Sequence, residues 1–157
     1  ESNLKKEIGS KALSVAQSIS NMPEIEKAFH TENPSSIIQP IAESIRKQVG
    51  AEFIVIGNRD EIRYSHPNPK RLGQKMVGGD NGRAFNGESV ISESTGTLGP
   101  SLRGKAPIFS QGEVIGVVSV GYLQTDIEKE ISKIQKKIFA ATFLILIGGL
   151  LAASLIS

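Results

Sequence analysis

The chain has 157 residues, with 18 Lys+Arg against 16 Asp+Glu, two His and no Cys. That length holds one ordinary domain and little more. A net charge of +2 is too weak to argue for a nucleic-acid partner, and the lack of Cys excludes a disulfide scaffold and thiolate metal sites.

In chain order, residues 2–20 place Leu4, Ile8, Ala12, Val15 and Ile19 at helical spacing, with Pro23 to stop the helix. A second helix is predicted from about Ser36 to Val49, after the turn signal Asn33-Pro34-Ser35 and before Gly50. Strands follow. Glu52–Gly57 and Glu61–Ser65 flank the turn Asn58-Arg59-Asp60 and predict a hairpin. A polar connection rich in Gly and Pro, with room for a short helix at 79–86, leads to strands at 88–94, 101–109 and 113–123. The turn Ser110-Gln111-Gly112 joins the last two, and the strand 113–123, apolar on both faces, has the pattern of a central one. Links of hairpin length predict an antiparallel sheet and an α+β class.

From Thr125 the pattern is helical again, and every charged side chain of the protein lies at or before Lys137. Ile138–Ile156 is nineteen residues without an ionisable group, enough for a membrane-spanning helix. Gly148 and Gly149 are followed four residues on by Ala152 and Ala153, which is either a close-packing face or the ordinary composition of membrane helices. Lys133, Lys136 and Lys137 alone would place the preceding domain in the cytoplasm. Glu1 is no natural start, so the expectation is an internal stretch of a longer protein.

Between Arg63 and Lys105 seven basic residues face three acids, Asp80, Glu88 and Glu93. In a strand Ser101, Arg103 and Lys105 project from one face, with Gly104 between them for close backbone approach. That is either an anion clamp, the Arg fork matching a carboxylate or phosphate, or a solvated basic strand face. Strict alternation puts Arg63 and His66 on opposite faces, and they converge only if the strand ends near Ser65. Ser119 is either a site hydroxyl or a core Ser bonded to backbone. His30 has no supporting context. Gly78-Gly79-Asp80-Asn81-Gly82 lacks the Lys-Ser/Thr of a phosphate loop and reads as a turn. No nucleophile sits beside a base, so no catalysis is expected of this chain.

The segments IRYSHPNPKRLGQKMVGGD (62–80) and GTLGPSLRGKAPIFSQGEVIGVVSVGY (96–122), followed by a membrane helix, resemble citrate and dicarboxylate sensor histidine kinases of the CitA/DcuS type, most of all the citrate receptors. The resemblance implies an extracytoplasmic PAS-like domain over 1–130, a five-stranded antiparallel sheet with an N-terminal helix. A juxtamembrane helix over 131–137 and a transmembrane helix over 138–156 would follow. It implies citrate as ligand, held by Arg63, His66, Arg103 and Lys105, with Thr97, Leu98 and Ser119 adding hydroxyl and amide contacts and Met76 lining the pocket; Ser101 joins them from the strand-face argument. Val55 stands where the citrate type carries a hydroxyl. No metal or cofactor is implied for this stretch. The parent would be a membrane-bound homodimeric kinase with an earlier membrane helix, a later cytoplasmic PAS domain, an ATP-binding kinase core and a response regulator as partner. Alternatives are a sensor of malate or fumarate, a chemoreceptor ligand domain, or a membrane-anchored enzyme.

Overall fold

In a computed structural model, which describes the backbone of residues 3–156 and the side chains of residues 3–151, helix α1 (Asn3–Ser20) buries Gly9, Ala12, Ala16 and Ile19 along one stripe. Small residues there let the helix lie close to the sheet beneath it. Pro23 ends α1 but also opens α2 (Pro23–Ala28), because a first-turn Pro forfeits an N–H that has no helical partner anyway. Helix α3 (Pro34–Val49) starts at Pro34 for the same reason, slightly before the predicted start. It stops at Gly50, whose φ of 67° is left-handed and suits glycine.

The sheet has four strands, β1 (Phe53–Asn58), β2 (Val90–Gly96), β3 (Gly99–Ser110) and β4 (Glu113–Leu123), in the antiparallel order β1-β4-β3-β2. Helix α4 (Gly82–Phe85) is the short helix anticipated near 79–86. The β3–β4 turn places Gln111 (φ 50°) and Gly112 (φ 83°) in left-handed conformations, which match the twist of a tight hairpin. β4 is central, as its unbroken apolar pattern requires.

The fifth strand expected at 61–65 does not form; the segment makes only the isolated bridges Gly57↔Arg63 and Ile62↔Lys75. Ser65 explains the difference. Its Oγ accepts from the Ile56 N–H at 2.8 Å and donates to the Ile54 carbonyl at 3.0 Å, taking backbone groups of β1 that a partner strand would use. Pro67 then has no N–H to continue a ladder.

The two faces of the sheet have different chemistry. Ile54, Ile56, Ala106, Ile108, Val118 and Val120 pack with Ala12, Ala16, Ile19, Ile38 and Ala42 of α1 and α3 to form the core. Gly104 lies on this helix side, where an added Cβ would meet the Leu13 backbone nitrogen at 2.1 Å. Its role is thus to seat α1, which corrects the expectation that it opens backbone to a ligand. The opposite face carries the buried polar residues.

The sheet unit runs to Gln124 and a second unit begins at Thr125. Helix α5 (Gln124–Ile156) is unbroken, so residues 131–137 belong to one continuous helix. Among the described residues it is long and apolar enough to cross a membrane. The side chains of Ala152 and Ala153 lie outside the described residues, as does Ser157.

Candidate functional site

Strand register assembles the polar face. One row across the sheet is Val55–Ser119–Lys105–Val90, and the next is Phe53–Gly121–Arg103–Ser92. Arg103 and Lys105 therefore project from the same face, both about as buried as the core residues. Arg63 and His66 reach this face from the irregular segment after β1, which resolves the conflict posed by strand alternation. Both are buried as well.

Arg103 is held on every side. Its Nε donates to Ser101 Oγ at 2.8 Å, Nη1 to Asp80 Oδ1 at 3.1 Å and Nη2 to the Ser94 carbonyl at 3.3 Å. The guanidinium lies 5.6 Å from the centroid of the Phe53 ring, within cation–π range. Gly78 and Gly96 close in from above: added Cβ atoms would stand 2.5 and 2.6 Å from its terminal nitrogens. Lys105 Nζ donates to Asn81 Oδ1 and sits 3.1 Å from Asp80 Oδ1. Burial pulls its pKa down to about 8 against the opposing charge of Asp80. Burial alone would raise the pKa of Asp80, but Lys105, the 2.6 Å hydrogen bond from Ser92 and Arg103 outweigh it and hold the carboxylate ionised.

Arg63 is different. No carboxylate pairs with it among the described residues, and burial followed by the charge of Arg71 lowers its pKa. Asp80 is the ion-paired counterion of Arg103 and Lys105, with Glu61 acting on Lys105 from behind Asn81, so direct pairing leaves the group of Arg63, Arg103 and Lys105 with two positive charges in surplus.

The backbone of His66 is clamped by Gln39, which accepts from its N–H at 2.9 Å and donates to its carbonyl at 2.8 Å. Its Nδ1 accepts from the Asn68 N–H at 2.9 Å, so the ring proton sits on Nε2 and points to Thr97 Oγ1 at 3.0 Å. Burial and then the charge of Arg63 lower the His66 pKa and keep the ring neutral. The ring is thus a neutral donor and not an imidazolium. Ser119 Oγ is the orphan: among the described residues it is the buried side-chain atom with no hydrogen-bond partner. The register explains why, since Val55 beside it offers no polar atom and Lys105 on the other side reaches to Asn81 and Asp80.

These residues border a small, partly open cavity of about 30 Å³, lined by Arg63, His66, Met76, Thr97, Leu98, Arg103 and Ser119 together with Phe53, Val55, Val77 and Gly96. Thr97 and Leu98 form the tip of the β2–β3 turn. Ser101 and Lys105, grouped with the site from sequence, do not line the cavity: Ser101 braces Arg103, and Lys105 lies beneath Asp80 and Asn81. Sequence reasoning missed Phe53, Val77 and Gly96, and also Asp80 and Asn81, which it had taken for turn residues. The only available signal for Asp80 was its position as one of few acids in a basic window.

The family described as single cache domain 3 matches residues 1–136. The chain is 34% identical to the solved sensor domain of DcuS from Escherichia coli, covering 83% of this chain and 99% of that one at a TM-score of 0.78. The chain belongs to the single cache domain family, of the CitA/DcuS sensor type. It is also 51% identical to the sensor protein CitS of Halalkalibacterium halodurans over 98% of this chain and 29% of that protein. With the sensor histidine kinase CitA of Klebsiella pneumoniae it shares 38% identity over 84% of this chain and 24% of that kinase. The chain thus spans less than a third of the length of these curated relatives. The cavity belongs to the cache domain itself, on the sheet face away from the helical core.

Proposed function

We propose that this cache domain is the extracytoplasmic citrate-sensing part of a two-component sensor histidine kinase. The observation that carries the reading is a surplus of buried positive charge around a partly open cavity into which Ser119 offers an unpaired hydroxyl. Burying guanidinium groups without counter-charge is expensive, and a polyanionic ligand is the natural compensation. Each carboxylate–cation pair at 4 Å contributes roughly 4 kcal/mol at an effective dielectric near 20, before desolvation is subtracted.

In this reading one carboxylate bridges Arg63 and the Nε2–H of His66, and another engages Arg103, with Thr97 and Ser119 donating hydroxyl bonds and Leu98 supplying the turn tip. Lys105 lies beneath Asp80 in the empty site and adds its charge there. Arg63 and Arg103 come from different elements, so a shared anion draws the post-β1 segment and β3 together, and the strain passes along β4 into α5. The parent would be a homodimeric kinase whose ATP-binding core lies elsewhere in the chain, signalling to a response regulator across the cytoplasmic membrane.

A four-carbon dicarboxylate is the second reading. It is favoured by Val55, which adds no hydroxyl beside Ser119. Titration calorimetry of the chain in detergent with citrate, malate, fumarate and succinate decides: strongest heat with citrate supports the first reading. Heat with malate or fumarate alone supports the second, and no heat with any of them overturns both.

A further inference from the structure

Of the acidic groups near the site, Asp80 is the one ion-paired with Arg103 and Lys105. Its carboxylate lies where a ligand carboxylate would be expected: Oδ1 is 3.1 Å from Arg103 Nη1 and 3.1 Å from Lys105 Nζ, and Oδ2 accepts from Ser92 Oγ at 2.6 Å. The segment carrying it is pinned to β2 by a bond from Ser94 Oγ to the Gly78 carbonyl at 2.7 Å. Gly78 (φ 131°) and Gly79 (φ 67°) give the backbone the left-handed turns that lay this loop on the guanidinium. The cavity of about 30 Å³ lies on the other side of Arg103, which lines it while Asp80 does not.

We infer that Asp80 is a tethered competitor, an internal carboxylate occupying the anion subsite of Arg103 and Lys105 that a ligand carboxylate must displace, and so an affinity-determining residue of the sensor. This rests on the carboxylate-sensor reading above and goes beyond it: loop 77–82 exchanges one carboxylate for another, and the resting affinity is reduced by the fraction of molecules in which Asp80 is bound. The exchange keeps Arg103 and Lys105 paired in both states, so neither state leaves them buried without a counter-charge. Displacing Asp80 also opens the space that a tricarboxylate needs.

The opposite role is equally definite. A purely structural Asp80 would orient Arg103 and Lys105 for the ligand, and its removal would weaken binding. The sign of the change therefore separates the two. In the full chain in detergent, Asp80→Asn should bind citrate about tenfold tighter or more than the unmodified chain. Because that variant leaves two cations uncompensated, Ser92→Ala serves as a gentler second: it only loosens the hold on Asp80 and should tighten citrate severalfold with the fold intact. Acetate tests occupancy without any assumption about the natural ligand, since by filling the vacated subsite it should raise the melting temperature of Asp80→Ala more than that of the unmodified chain. Equal or weaker citrate affinity in folded Ser92→Ala and Asp80→Asn, or an acetate effect on Asp80→Ala no larger than on the unmodified chain, overturns the inference. A chain that ignores every carboxylate in calorimetry, yet shows the acetate effect, defeats the sensor reading and leaves Asp80 as an occupant of an anion subsite.

Discussion

Ser119 and His66 show how single residues at the site trade stability for binding. A buried hydroxyl without a partner costs about 1–3 kcal/mol, so Ser119→Ala should stabilise the empty domain by up to that amount while weakening citrate binding. Chemical denaturation and calorimetry on the same variant check both halves; a variant less stable than the parent would mean that the hydroxyl is satisfied. His66 has a folded pKa below its unfolded value of about 6.5. The unfolded chain then takes up the proton first, so stability is full at higher pH and is lost as pH falls through 6.5 toward the folded pKa. His66→Gln, which can still donate to Thr97, should flatten that acid-side loss of melting temperature, and an unchanged pH profile would show that His66 is not its source. The common orientation of Arg103 and Lys105 was legible in the sequence because side chains alternate along a strand with period two. Which of the two reaches the cavity was not legible, because the answer depends on Asp80, which arrives from a loop more than twenty residues earlier in the chain.

At the scale of elements, the two sheet faces rest on two close approaches. Gly104 lets α1 sit against β3, so Gly104→Ala forces helix and strand apart. It should destabilise the domain by about 1–3 kcal/mol, measured as a lower urea midpoint, with a wild-type midpoint contradicting this packing role. The helices and the central place of β4 were legible from periodicity and from an apolar run on both faces. The sequence also carried a hairpin signal after β1, and there the expectation failed. Ser65 competes for the β1 backbone through its side chain, a contact that periodicity cannot register. Ser65→Ala would free those buried backbone groups at a cost of about 1–3 kcal/mol. Amide exchange at Ile56 should accelerate in that variant, and unchanged protection would show that another group satisfies this edge.

For the whole molecule, β4 ends at Leu123 and α5 begins at the next residue, Gln124. The membrane segment was legible from composition alone, whereas the side on which the domain lies was not, because the lysines before the span argue one way and the sensor resemblance the other. If strain in the sheet is the signal, two glycines inserted after Leu123 should uncouple ligand from output in a chimera driving a kinase core, with calorimetric affinity retained; undiminished signalling would contradict direct transmission. The central claim concerns the buried cations, and Arg63, which has no acidic partner among the described residues, isolates it best. Calorimetric titration of citrate into the chain and into Arg63→Met should show binding in the first and at least ~30-fold weaker binding in the second, with the empty variant no less stable than the parent. Equal affinity in the two would contradict the account.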